Sequence, residues 1–125
     1  MEGPNILSPT LRERQRYIAY HVISQKPIVF ADLVNAIWYS LLTTLGELGT
    51  AQAYVWIIRN AYDEKKQIGL IRCSHDAVER VRAALALVQR IEDVQIIIRV
   101  LGISGTIKGA RKKFFGEVDL LTFVK

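Results

Sequence analysis

Residues 53–73 read AYVWIIRNAYDEKKQIGLIRC. The two apolar ends, AYVWIIRN (residues 53–60) and QIGLIRC (residues 67–73), are rich in β-branched and aromatic residues, and the polar run of residues 62–66 between them reads as a turn. The pattern predicts two strands joined as a hairpin. Upstream, Phe30, Leu33, Val34, Ile37, Trp38, Leu41, Leu42 and Leu45 recur at helical spacing, and Gly46 and Gly49 punctuate the end. Downstream, a second helix is predicted over residues 75–91. Ser74 suits its N-cap, Asp76 its first turn, and Val78, Val81, Leu85, Val88 and Ile91 form its apolar stripe.

The outermost segments, residues 12–24 (ended by Pro27) and 94–103, read as further strands. The order is therefore βαββαβ. Two helices on one face of a four-stranded antiparallel sheet is an α+β, ferredoxin-like arrangement, the sandwich that RNA-recognition (RRM-like) domains share. Trp38, Leu41, Val81 and Leu85 are expected between helices and sheet. The 125 residues suffice for one domain, with a core over about residues 12–103 and a basic C-terminal extension over 104–125 that opens with a short helix. Thr106 suits the cap of that helix, and Ile107, Ala110 and Phe114 its apolar side.

Half the residues are hydrophobic and 23% are charged, the profile of a folded domain. No apolar run reaches the ~18 residues of a membrane span, and residues 1–9 are too polar for a signal peptide, so a cytoplasmic protein that touches no membrane is expected. The single cysteine, Cys73, excludes an internal disulfide. With only His21 and His75 to join it, it makes a poor zinc site and reads as a buried strand residue. The acids fall mostly at element ends, and neither a nucleophile with an adjacent base nor a converging carboxylate pair is evident. No catalytic residue, bound cofactor or metal ligand is predicted.

The net charge of +5 suggests an anionic partner, and its distribution sharpens the suggestion. Arg12, Arg14 and Arg16 crowd the start of the first strand, and Lys108, Arg111, Lys112 and Lys113 crowd the last helix. The turn before that helix, Ser104, Gly105 and Thr106, suits phosphate contact through backbone N–H groups, although three such residues are more often a plain turn. Asn35, Tyr39, Ser40, Thr43 and Thr44 leave one face of the first helix almost without charge, as expected of a face that touches a partner. Arg59, Arg72 and Arg99 share strand parity with Ile57, Leu70 and Leu101. If these sets share the helix-free face, it is apolar with arginines planted in it. Three readings stay open: contacts to phosphate or carboxylate, local pairing under a covering tail, or a protein-binding face. Residues 69–73 carry no aromatic, so base stacking on the sheet is not expected.

Four stretches carry a resemblance: PTLRERQRYIAYHVIS (residues 9–24), IWYSLLTTLGELGTAQAYVWII (37–58), GLIRCSHDAVERVRAALALV (69–88) and IIRVLGISGTIKGARKKF (97–114). In this order the chain resembles the archaeal ribonuclease P protein component 2 family; residues 116–125 match no quotable pattern. The resemblance implies a subunit of the endoribonuclease that removes the 5′ leader from precursor tRNA. It implies catalysis by an RNA subunit using Mg2+. It also implies work beside protein component 3, as a dimer of heterodimers on the RNA's catalytic domain, with precursor tRNA engaged indirectly. Match and charge nominate Arg16, Ser104, Gly105, Thr106, Lys108, Arg111, Lys112 and Lys113 as RNA contacts, with Arg12 and Arg14 added by charge. Asn35, Tyr39, Thr43, Arg59, Leu70, Arg72 and Arg99 are candidates for protein contacts. The alternatives are an acylphosphatase-like hydrolase, which would need a phosphate-cradling loop where Gln25, Lys26 and Pro27 stand, and a ligand-sensing regulatory domain.

Overall fold

Ile18, Tyr20 and Val22 turn to one side of the first strand and are buried, while Tyr17, Ala19, His21 and Ile23 turn to the other. The computed structural model describes residues 15–115, so Arg12, Arg14 and residues 116–125 lie outside the described residues. Strand β1 (Gln15–Ser24) leads to helix α1 (Phe30–Ala53), then to the hairpin of β2 (Trp56–Asp63) and β3 (Ile68–Ser74). Helix α2 (Val78–Ala86) follows, then β4 (Arg90–Ile91) and β5 (Val94–Ser104). The last described element starts as α3 (Ile107–Ala110) and runs on in wider π-type turns over Arg111–Phe115. The sheet order is β2-β3-β1-β5-β4 with every pair antiparallel, the expected α+β ferredoxin-like sandwich with one short strand added at an edge.

Helices α1 and α2 cover one face. Leu33, Ile37 and Leu41 of α1 meet Val81, Ala84 and Leu85 of α2 over Ile18, Tyr20, Val22, Ile71, Cys73, Ile96 and Ile98 of the sheet. Burying each such large apolar side chain contributes about 1.5–3 kcal/mol. The Ser40 hydroxyl donates to the Ala84 carbonyl at 2.6 Å and ties the two helices together. Leu41, Val81 and Leu85 lie fully inside as expected; Trp38 packs against the cluster from its rim and is only half-buried.

Three local departures have physical causes. Gly46 adopts φ 76° and ψ 171°, which breaks α1 where expected, but helix resumes to Ala53 and Tyr54 closes it in the left-handed conformation. The Thr50 hydroxyl donates to the Leu41 carbonyl at 3.1 Å across the break, so β2 starts at Trp56 and not at residue 53. The second helix stops at Ala86; Val88 and Ile91 still face the core, yet Arg90 and Ile91 pair with Gln95 and Val94 as a hairpin. Finally, the β2–β3 register slips between Ile58 and Asp63, which moves Arg59 off the alternation read from sequence.

Candidate nucleic-acid interface

The helix-free face is partly roofed by the chain's own C-terminal helix. Thr106 caps α3, its hydroxyl accepting from the Gly109 N–H at 3.0 Å. Ala110 is fully buried against Ala19 and Leu70, with Ile58, Leu101, Phe114 and Phe115 packed around them. The Phe114 ring lies so close over Gly102 that a Cβ there would collide with it. Gly102 stands opposite Ala19, so two small residues in register make the bed for the ring. This anchoring fixes which side of the helix meets solvent: Lys108, Arg111, Lys112 and Lys113 are all exposed. Arg111 also donates to the Asn60 carbonyl at 3.3 Å and lies over the Phe115 ring, 5.9 Å from its centroid.

The turn before α3 is largely satisfied within itself. Ser104 Oγ accepts from the Thr106 N–H at 3.3 Å and donates to the Thr106 carbonyl at 3.0 Å, and Thr106 Oγ1 already holds the Gly109 N–H. Of the backbone N–H groups at this turn and helix start, those of Thr106 and Gly109 are thus taken by side chains of the segment itself. Arg16 is half-buried, donates to the Gln15 carbonyl at 2.9 Å, and shares parity with Ile18, which places it at the same end of the sheet but on the opposite face.

The other arginines do not form one set. Arg72 and Arg99 belong to the helix-free face, but Arg59 sits in the slipped segment of β2, its guanidinium carbon 5.4 Å from the centroid of Phe30. Arg72 stacks on Trp56 at 4.6 Å. Arg99 stands opposite His21; burial first and Arg99 second pull the His21 imidazole below its usual pKa. Leu70, expected as a contact for a partner, is fully buried beneath α3 and offers no surface. Trp56 is an exposed aromatic that the search for aromatics in the third strand passes over. Pairing across the hairpin sets it against Arg72 and is the signal that finds it.

Asn35, Tyr39 and Thr43 line a groove of about 600 Å³, closed on its other side by Leu87, Val88 and Arg90. Ser40, in the same uncharged set, is explained by its bond to α2. No feature of the described residues assembles a reaction centre. Burial, with the charge of Asp76 nearby, pushes the Cys73 thiol up to about 11, so it is not a nucleophile at neutral pH. The loop after β1 is latched by Gln67, whose amide oxygen accepts from the Ile28 N–H at 2.7 Å and whose nitrogen donates to the Val22 carbonyl at 2.9 Å. That occupied N–H argues against a phosphate cradle of the acylphosphatase kind. Among the described residues, no three His, Cys, Asp or Glu side chains gather as a metal site, and no helix is long and apolar enough to cross a membrane.

The model of the Rpp14/Pop5 family matches residues 16–115. The ribonuclease P protein component 2 of Thermococcus gammatolerans is 47% identical over 116 residues, 93% of this chain and 95% of that one. That of Pyrococcus furiosus is equally similar, at 47% over 116 residues with the same shares of the two chains. The Methanocaldococcus jannaschii protein of the same name is 37% identical over 110 residues, 88% of this chain and 79% of that one. Among solved structures, a chain of yeast ribonuclease MRP superposes with a TM-score of 0.60 at 11% identity, covering 90% of this chain and 97% of that chain. At that identity the likeness speaks for the fold alone.

Proposed function

The chain belongs to the Rpp14/Pop5 family and is a ribonuclease P protein subunit, and from that premise we propose that it binds and stabilises the catalytic domain of the RNA subunit and performs no chemistry itself. The RNA subunit, with its own Mg2+ ions, removes the 5′ leader from precursor tRNA in the cytoplasm; this chain supplies shape and charge. The observation that carries the reading is the C-terminal helix. One side is locked to the sheet through Ala110 and Phe114, and the other holds Lys108, Arg111, Lys112 and Lys113 in solvent. A cationic helix on a rigid bed neutralises phosphates at fixed positions, and release of their counterions drives binding with little dependence on sequence. Structured RNA offers phosphates and 2′-hydroxyls in its shallow groove, which suits such an element.

Protein component 3 is the proposed partner at the groove of Asn35, Tyr39 and Thr43, in a dimer of heterodimers. The groove's lining is mostly uncharged, and its exposed Tyr39 and Leu87 suit a protein contact better than a phosphate backbone. The test of RNA binding is a salt titration of the triple variant Lys108→Ala, Arg111→Ala, Lys112→Ala. The plot of log affinity against log salt should flatten by roughly 2 units, at about 0.7–0.9 per lost contact, with folding intact by circular dichroism. A slope equal to that of the unaltered chain would end the assignment. The RNA-free protein should cleave no precursor tRNA at any Mg2+ concentration. Adding the RNA and component 3 should restore cleavage at lower Mg2+ than the RNA alone requires.

A further inference from the structure

Tyr17, Arg72 and Trp56 stand in one row across three strands: Tyr17 is opposite Arg72 in the β1–β3 ladder, and Arg72 is opposite Trp56 in the β2–β3 ladder. All three lie on the helix-free face, beyond the part roofed by α3. Trp56 is 58% exposed, a large amount of indole to leave in water when its amphipathic ring is suited to contact. Arg72 lies over its ring at 4.6 Å, and the Arg72 Nε is buried with no acceptor among the described residues. The row opens into a cavity of about 340 Å³, lined also by Ile58, Asn60 and Ile107 and touched by Arg59. That size is at the small end of ligand pockets, which run from about 300 to 1,000 Å³.

We infer that this cavity receives one unpaired nucleobase of the RNA, stacked on Trp56 and flanked by Tyr17 and Arg72. This rests on the RNA-binding reading above and adds to it a second kind of contact at a defined place. The lining carries no carboxylate, and its cation turned to the row is Arg72, the Arg59 guanidinium lying over Phe30; this favours an anionic strand over a protein surface of mixed charge. Stacking on an exposed aromatic is tolerant of base identity because every base has a π-face, and an arginine beside the ring adds a cation–π contact. The Asn60 amide offers a donor and an acceptor for a base edge. Ile107 of the basic helix forms part of the wall and Arg111 is bonded to the Asn60 carbonyl, so the cavity adjoins the basic helix. A strand of RNA whose phosphates follow that helix can turn one base into the pocket.

The test compares Trp56→Ala and Trp56→Phe in the full chain, using two probes: the catalytic domain of ribonuclease P RNA, and a fully paired RNA duplex of similar length. Trp56→Ala should weaken binding to the catalytic domain by about 5- to 150-fold, the range for loss of one base–aromatic stack, while leaving the salt slope and duplex binding unchanged. Trp56→Phe should keep most of the affinity. Tryptophan emission should be quenched by the catalytic domain and not by the duplex, and the quenched component should vanish in Trp56→Phe, which retains Trp38. Circular dichroism and the urea midpoint of Trp56→Ala should match the unaltered chain. If Trp56→Ala binds the catalytic domain with unchanged affinity while the triple basic variant flattens the slope, the stacking site is wrong and the RNA-binding reading stands. If neither variant alters RNA binding, both fall. If Trp56→Ala spares RNA binding but weakens assembly with protein component 3, the pocket is a protein contact and the inference is overturned.

Discussion

On the helix side of the sheet, Ile18, Tyr20, Val22, Leu33, Ile37, Leu41, Val81 and Leu85 close into one thick core. On the other side, among the described residues, only Ala19, Ala61, Leu70 and Ala110 are packed away as one cluster, under a short helix held by Phe114 over Gly102. The first face uses large side chains at periodic positions, and two helices bury them from both directions. The second uses small residues and a glycine, so that a basic helix lies close to the strands. The beginning of β5 is left uncovered there, with Ile23 and Ile97 paired in solvent. The difference teaches where stability and the proposed RNA contacts divide. The helix face can lose little without unfolding, whereas the other face is thin and carries the basic helix, the Trp56 row and Arg99.

The comparison can be broken most directly in the core. Leu85→Ala should cost about 2–5 kcal/mol, as large-to-small changes at fully buried sites do, and a urea titration should show a matching fall in midpoint. A loss below ~1 kcal/mol would mean that the helix face does not dominate stability. Gly102→Ala, on the thin face, should cost about 1–3 kcal/mol through collision with Phe114. Its effect should be local: amide exchange should quicken in residues 107–115 before it does in β1 and β3. Uniform loosening across the sheet would show that the two faces are one cooperative unit.

The two faces should also titrate at opposite ends of the pH scale. On the helix side, burial raises Cys73 to about 11 and Tyr62 to about 12, and raises Tyr20 further. A raised acid favours its neutral form in the folded state. Its contribution is complete below the unfolded pKa, near 9 for the thiol and 10 for the phenols, and is lost as pH rises towards the folded values. On the other side, His21 is depressed below 6.5, so its contribution is complete above that pH and is lost as pH falls through the folded value. Stability measured between pH 5 and 11 should therefore be flat in the middle. It should fall at the alkaline end, where Cys73→Ala should shrink the fall. No change in that variant would remove the thiol from the account. The smallest effect on folding is expected at the α1 groove. Tyr39→Glu, at an exposed site, should shift stability by less than ~0.5 kcal/mol while weakening assembly with protein component 3. Undiminished assembly would free the groove of that role.

The core was legible because it depends on periodicity, which residues such as Leu33, Ile37 and Leu41 declare openly. The apolar positions Val88 and Ile91 continued the helical stripe although the backbone had already turned into a hairpin, since periodicity reports which way a side chain points and not the conformation that points it there. Arg59 was misplaced because alternation assumes a constant register, and the slip between Ile58 and Asp63 leaves no compositional mark. The basic helix and its Thr106 cap were readable as a local unit. That it lies on Gly102 and Ala19, and so covers Leu70, depended on bringing distant strands into register. The Trp56 row was missed for the same reason: its three members come from three strands.

The central place of β1 has a consequence for how the molecule comes into being. Ala19 lies opposite Leu70 in one ladder and Gly102 in the other, so the first strand waits for a partner made long after it, beyond both helices and the hairpin. Closing so long a loop before its contacts repay the entropy makes β1–β5 pairing a late and slow event. A nascent chain halted before β5 should leave Tyr17 and Ala19 open to chaperones and protease, and limited proteolysis of stalled ribosomes at successive lengths would show protection appearing only once β5 has cleared the tunnel. The basic helix has no bed until that moment. The surface proposed to meet RNA is thus absent from every shorter intermediate, and on that proposal a half-made chain is kept from competing for RNA by the order of its own strands.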